Sequence, residues 1–371
     1  MRLEGLLAGI FFCLMAPIAV AESPGPNNRA EAVKIVAEMR RIVTPQGVER
    51  LEKVRIGGID QWIAVRGFDR RNPILLYLHG GPGFPAMPTS WYYQRGWEEY
   101  FTVVQWDQRG AGKTYATNDP ASVAPTITPA RMIADTEEMI GWLRKEFGKD
   151  RIFVLGHSWG SYLGLDIARR HPEWLHAYIG MGQLTDARES ERRGWQFAME
   201  HARSANNATA VRELQSIAGY EKAAEISLDA IKLQRKWLGF YGGAVRGRKS
   251  FDHEDVGTTL APEYSDADVE LVWKANRYSM TPLLPTVLKT DFSSVTRLAC
   301  PIVLFNGRDD YNVSASLAAE WLERLQAPSK TLVWFERSAH DIVNEEPGKV
   351  LLSLVQHVRP IAERAGDIAP P

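Results

Sequence analysis

The chain has 371 residues, 45% hydrophobic and 24% charged, and its 44 Lys and Arg against 45 Asp and Glu leave a formal charge of −1. That composition excludes a disordered polymer, and the even charge balance gives no basis for nucleic-acid or polybasic membrane binding. Two cysteines, Cys13 and Cys300, cannot build a disulfide framework, and no Cys/His spacing resembles a metal site, so neither a metal nor another cofactor is expected.

The first residues carry Arg2, an apolar run from Leu6 to Val20, and Ala19-Val20-Ala21 ahead of Glu22. This order of basic, apolar and small residues predicts a signal peptide at 1–21, cleaved after Ala21. The run is too short to span a bilayer as an anchor. The mature protein is expected to be exported, periplasmic or secreted, with no membrane attachment after cleavage. Its length suits one large domain carrying an insertion.

From about Leu51, short β-rich runs alternate with helical patterns, which predicts an α/β fold with a mainly parallel sheet. Strands are expected at 61–65, 74–78, 101–106, 152–155, 178–181, 302–305 and 332–335, with helices at 129–147, 161–170, 314–325 and 347–358. Between Gln183 and Phe292 the alternation stops and the pattern becomes helical, which predicts a cap inserted into the core. The expected organisation is core 22–182, helical cap 183–292 and core 293–371.

Three strand ends carry candidate chemistry. The strand at 74–78 runs into His79-Gly80-Gly81-Pro82-Gly83, whose paired glycines let backbone N–H groups approach a substrate. The strand at 152–155 runs into Gly156-His157-Ser158-Trp159-Gly160, where a sharp strand-to-helix turn would expose Ser158 as a nucleophile, with the Trp159 N–H as an oxyanion donor. Beyond it, in chain order, the strand at 302–305 ends in Asn306-Gly307-Arg308-Asp309-Asp310, and the strand at 332–335 ends in Glu336-Arg337-Ser338-Ala339-His340. These supply an acid, either Asp309 or Asp310, and a general base, His340.

Two other motifs lead elsewhere. Gly110-Ala111-Gly112-Lys113-Thr114 imitates a phosphate-binding loop, but its first glycine would fall at position 107, which is Asp. Phe251-Asp252-His253-Glu254-Asp255 lacks metal-ligand periodicity and is expected to be a solvated cap loop.

Taken together, His79-Gly80-Gly81-Pro82-Gly83, Trp106-Asp107-Gln108-Arg109-Gly110-Ala111-Gly112-Lys113-Thr114, Gly156-His157-Ser158-Trp159-Gly160-Ser161 and Gly307-Arg308-Asp309-Asp310 resemble the proline iminopeptidase group of α/β-hydrolases, a family of serine aminopeptidases. The resemblance implies an α/β-hydrolase fold with a cap, the triad Ser158, Asp310 and His340, and oxyanion donors at Gly81 and Trp159. Family aminopeptidases hold the substrate's α-amine with cap glutamates, one in a segment similar to Val272–Ser279, where Ala275 takes the glutamate's place. The expectation is therefore a serine hydrolase of small esters, amides or short peptides whose pocket lacks an amine-binding carboxylate and favours neutral or anionic acyl groups. The alternatives are a true prolyl or N-terminal aminopeptidase and a catalytically silent ligand-binding protein. Trp273, Trp237 and Tyr241 are candidates to line the pocket. Should a free amine prove necessary, Glu200, Glu213, Glu263 and Glu270 are the carboxylates to consider. Nothing in the sequence fixes the oligomeric state.

Overall fold

The computed structural model describes residues 25–370, so the expected signal peptide lies outside the described residues. The strands are β1 (Val48–Ile56), β2 (Ile59–Gly67), β3 (Ile74–Leu78), β4 (Thr102–Asp107), β5 (Ile152–His157), β6 (Leu175–Met181), β7 (Ile302–Gly307) and β8 (Lys330–Phe335). Helices of seven or more residues are α1 (Arg29–Met39), α2 (Pro129–Phe147), α3 (Trp159–Arg170), α4 (Ala187–Ser204), α5 (Ala208–Ser216), α6 (Leu228–Phe240), α7 (Asp252–Thr258), α8 (Asp266–Val287), α9 (Ala315–Arg324) and α10 (Pro347–Ser353).

The strands form one eight-stranded sheet in the order β1-β2-β4-β3-β5-β6-β7-β8. β1, β2 and β4 pair antiparallel, and every pairing from β4 through β3 to β8 is parallel. The central strands β3 to β7 are buried at nearly every position and mostly apolar, because helices cover both faces. Along β3, Ile74, Leu76 and Leu78 enter one core while Leu75 and Tyr77 enter the other, following the two-residue alternation of a strand. All parallel strands thus end on one side, where α/β sheets place their sites.

β1 is the strand that the β-rich runs did not disclose. Its sequence, Val-Glu-Arg-Leu-Glu-Lys-Val-Arg-Ile, is rich in charge because it is an edge strand that buries only Val48, Val54 and Ile56. Gly57-Gly58 closes its hairpin to β2.

α2 matches its expected bounds, since its limits are written locally. Thr128 accepts from the Arg131 N–H as N-cap, Pro129 occupies the first turn, and Gly148 closes the end at φ 63°.

Between β6 and β7 the chain forms helices α4 to α8, and an antiparallel bridge between Asp186 and Asp291 joins the two ends of this excursion. Small apolar clusters hold these helices, one of which packs Ala198, Met199, Ala202, Leu214 and Trp237 together. The segment before the sheet also ties in. Arg29 donates to the Thr259 carbonyl at 2.6 Å, and buried Arg40 bonds Glu263 at 2.8 Å and lies 3.6 Å from buried Glu98.

Candidate active site

The turn after β5 holds Ser158 at φ 53° and ψ −117°, a conformation costly for a non-glycine residue. The flanking glycines make the turn feasible. A Cβ at Gly160 would lie 1.9 Å from the Leu78 carbonyl oxygen, and one at Gly156 would lie 2.4 Å from the Gly160 carbonyl oxygen. Any side chain at either position would force β3, β5 and α3 apart. The elbow is further fixed by the Ser158 N–H donating to the Met181 carbonyl at 3.0 Å.

The loop after β3 passes directly over this elbow. A Cβ at Gly80 would approach the Ser158 Cβ to 3.1 Å, which puts Gly81 beside the serine at φ 109°. Among the described residues, neither the Gly81 N–H nor the Trp159 N–H donates a hydrogen bond. Both remain available to a ligand. His79 Nε2 accepts from the Gln108 N–H at 3.3 Å, its Nδ1 donates to the Gly80 carbonyl at 2.9 Å, and burial lowers its pKa to about 4. It is therefore a neutral strut for the loop.

His340 and Asp310 come from the loops after β8 and β7. His340 Nδ1 donates to Asp310 Oδ2 at 2.8 Å, and Asp310 Oδ1 accepts from the Val313 N–H at 2.9 Å. This fixes the tautomer and leaves Nε2 with its lone pair. Asp309 turns the other way, half-exposed and 3.2 Å from Arg246. Successive side chains leaving an extended strand point to opposite sides, which separates the two aspartates. His157 donates from Nε2 to the His340 carbonyl at 3.0 Å, and burial, together with the charge of His340, lowers its pKa to about 3. A neutral ring 4.9 Å from His340 steadies that loop without competing for protons.

Ser158, His340, Gly80 and Gly81 line one cavity of about 240 Å³ with Phe84 and Trp273. The arrangement brings a strained serine, an oriented imidazole and unpaired amide donors to one apolar space, which is what acyl transfer requires.

Residues 73–347 match the α/β hydrolase fold family. The chain belongs to that family. This α/β-hydrolase is 30% identical over 315 residues to the probable aminopeptidase YbaC of Bacillus subtilis, a match covering 83% of this chain and 96% of that one. Proline iminopeptidase from Neisseria gonorrhoeae is 37% identical over 110 residues, 29% of this chain and 32% of the other. The crystal structure of the Mycobacterium smegmatis proline iminopeptidase superposes with a TM-score of 0.60 at 18% identity, covering 85% of this chain and all of that one. This hydrolase enzyme is thus proline iminopeptidase-like in sequence and fold.

Two features of the α/β-hydrolase's cavity correct the sequence expectations. First, the cavity contains carboxyl groups, Glu254 from α7 and Asp341 beside His340. The segment Phe251–Asp255, expected as a solvated loop, instead starts α7 and buries Glu254. Arg248 donates to Glu254 Oε1 at 2.8 Å, while Glu254 Oε2 is buried without a partner. Asn344 donates to both Asp341 oxygens at 3.0 Å. Burial, and then the charge of Glu254, push Asp341 well above the usual carboxylate range.

Second, only Trp273 of the three aromatic candidates lines the cavity. Trp237 and Tyr241 pack instead against α4 and α5, with Trp237 Nε1 donating to Glu213 Oε2 at 2.8 Å, because α6 turns its aromatic face into the helical layer's own core. Of the carboxylates considered, Glu263 is taken by Arg40 and Glu213 by Lys236 and Trp237, while Glu200 and Glu270 are exposed. Ala275 is fully buried, and α8 presents Trp273, Asn276 and Met280 to the cavity. No spacing in the sequence announced Glu254 or Asp341. Asp341 adjoins the expected base, and that adjacency was the one available signal.

Proposed function

We propose that this protein is a serine hydrolase of the aminopeptidase type, cleaving the first amide or ester bond of small substrates that carry a free α-amine. The observation that carries this reading is the buried Glu254–Asp341 pair in the same cavity as Ser158 and His340. An ammonium ion entering a partly buried pocket needs a carboxylate partner, since an unpaired charge there costs several kcal/mol. Here it would meet the unpartnered Glu254 oxygen, with the Asp341 carboxyl beside it in the same cavity. The names of the relatives in Bacillus and Neisseria agree with this reading.

The chemistry proceeds through an acyl-enzyme. Ser158 Oγ attacks the carbonyl carbon as His340 Nε2 takes its proton, and Asp310 stabilises the resulting imidazolium. The oxyanion is held by the Gly81 and Trp159 N–H groups, each worth ~3 kcal/mol in comparable hydrolases. His340 then protonates the leaving amine or alkoxide as the bond to it breaks. Water, deprotonated by His340, attacks the ester of Ser158, and His340 returns the proton to Ser158 Oγ as its bond to the acyl carbon breaks and the acid departs. Residues 183–292 act as the cap over this cavity, and residues 1–21 direct export, which the N-terminal mass of the mature protein would test.

A neutral-ester hydrolase is the second reading, and the upward push of burial on the Asp341 carboxyl together with the apolar walls Phe84, Phe251 and Trp273 favours it. A substrate panel separates the two. Free-amine proline and alanine arylamides should be turned over well, and N-acetylation should abolish their hydrolysis. Equal or faster turnover of the N-acetylated forms, with high activity on p-nitrophenyl esters, selects the neutral-ester reading. Absence of a p-nitrophenyl acetate burst would instead indicate a silent binder.

A further inference from the structure

The cavity has a neighbour along α8. A groove of about 610 Å³ shares Trp273, Asn276 and Met280 with the active-site cavity, so the two spaces meet along one stripe of the helix at positions i, i+3 and i+7. Its apolar floor includes Ile226, Leu284 and Leu288, and its charged rim is Arg188, Lys232, Arg277 and Lys289 against the single acid Glu225. The rim cations are not equally free. Arg188 is committed to the Ala223 carbonyl at 2.8 Å, and Lys232 lies 3.9 Å from Asp229. Arg277 and Lys289 are exposed and have no carboxylate within ion-pair distance among the described residues.

The geometry of an α-aminoacyl substrate gives this groove a role. Its amine and its scissile carbonyl are separated by one carbon atom, so an amine held at Glu254 and Asp341 fills that end of the cavity. The leaving group must then run away from the acidic end, and the adjoining groove along α8 is lined by neither of those acidic residues. The entry is close to the reacting carbonyl. Asn276 Nδ2 donates to the Pro82 carbonyl at 2.9 Å, which joins the α8 stripe to the oxyanion loop, and Arg277 is the next residue. Extended chain advances about 3.3–3.6 Å per residue, so a leaving group of two residues brings its terminal carboxylate into the range of a long arginine side chain.

We propose that the groove binds the C-terminal carboxylate of the leaving peptide, with Arg277 and Lys289 as its cations, so that the enzyme selects short peptides with both ends free. The acidic pair receives one terminus and the basic rim the other. The inference rests on the amine-binding reading of the cavity given above. Partly solvated ion pairs are weak, so the preference is modest and sensitive to salt.

The test compares three substrates with the same N-terminal residue: an Xaa-Gly-Gly tripeptide, its C-terminal amide, and the Xaa arylamide. The free acid should exceed the amide in kcat/KM by about fivefold at low ionic strength, and the ratio should shrink in 0.5 M salt, taken as roughly a 4 Å screening length. Replacing Arg277→Gln together with Lys289→Gln should bring the ratio near one, while Arg277→Lys should retain most of it. An acid-to-amide ratio near one in the unaltered enzyme, with the arylamide still hydrolysed, overturns this inference and leaves the amine reading intact. Failure on every free-amine substrate, with esters still cleaved, overturns both.

Discussion

The strand ends and the helices between β6 and β7 form the walls of one cavity, and they are held by different forces. Ser158 and Asp310 stand on loops anchored to β5 and β7, whose side chains are almost wholly buried on both faces, and His340 follows the edge strand β8, which buries Phe335 at its end. Their positions are fixed by close backbone packing, as when a Cβ at Gly307 would strike the Ala339 carbonyl oxygen at 1.9 Å. Glu254, Trp273 and Met280 stand on α7 and α8, which are held by a small apolar cluster of Met87, Ala261, Tyr264 and Val272, by Leu283 reaching the main core, and by polar ties such as Arg248–Glu254 and the Ser279 hydroxyl donating to the Gly110 carbonyl. A rigid frame suits reacting atoms, which must be placed within fractions of an ångström. A looser layer suits recognition, where one new side chain can change the ligand without disturbing the chemistry.

The sharpest way to break this contrast is at the strand ends. Ser158→Ala should lower kcat by about four to six orders of magnitude and abolish fluorophosphonate labelling, with thermal unfolding near that of the parent. Persistent labelling would remove Ser158 from its role. Asp310→Asn should cost about 10⁴ in kcat, whereas Asp309→Asn, on the half-exposed neighbour of Arg246, should cost little. The reverse order would reassign the acid.

In the helical layer the effects should be smaller and should fall on selectivity. Glu254→Gln should lower the ratio of free-amine arylamide to ester kcat/KM about thirtyfold, the ~2 kcal/mol of a hydrogen bond to a charged group. An unchanged ratio would argue for the neutral-ester reading. Trp273→Ala, at a side chain 51% exposed, should raise KM several-fold with little change in melting temperature. Trp237→Ala should do the opposite, costing ~3 kcal/mol of stability with selectivity intact, as denaturant titration beside steady-state kinetics would show.

The smallest expected effect on catalysis is at Asp107, whose signature is a pH dependence of stability. Asp107 accepts from the Lys113 N–H at 2.7 Å and from the Tyr264 hydroxyl, yet burial raises its pKa to about 7. The unfolded carboxyl titrates near pH ~4. Between those values the folded state binds the extra proton, so stability is fully present below about pH 4 and falls as pH rises toward 7. Asp107→Asn should therefore flatten the decline in melting temperature between pH 5 and 8, and equal slopes would exclude this origin.

The same contrast explains what the sequence disclosed. Strand ends are written in short contiguous patterns, because β3, β5 and β7 each run into the loop they position. Ser158, His340 and the Asp309-Asp310 pair could therefore be located in chain order, and the family resemblance singled out Asp310. β1 escaped because an edge strand with charged outward residues looks like a solvated segment. The cavity's recognition groups escaped for a different reason. Whether Glu254 or Glu213 faces the cavity depends on how α5 and α7 rotate against their neighbours, and no short pattern records that rotation. Trp237 and Tyr241 were plausible pocket walls by the same logic and pack elsewhere.

The ties from the N-terminal segment bear on how small a working piece of this chain can be. The family's shared span, residues 73–347, contains Glu98 and Glu263 but neither Arg40 nor Arg66, which donates to Glu98 at 2.9 Å. A fragment cut to that span would hold two interior acids without their cations, a loss of about 3–5 kcal/mol for a broken buried pair. It would also uncover β4, whose outer side β2 now pairs, and an open edge of that kind recruits other chains. Autonomy here belongs to a longer unit than the span matched to the family: the segment ahead of the first strand completes the charge balance of an interior it precedes by more than 50 residues at Glu98 and by more than 200 at Glu263.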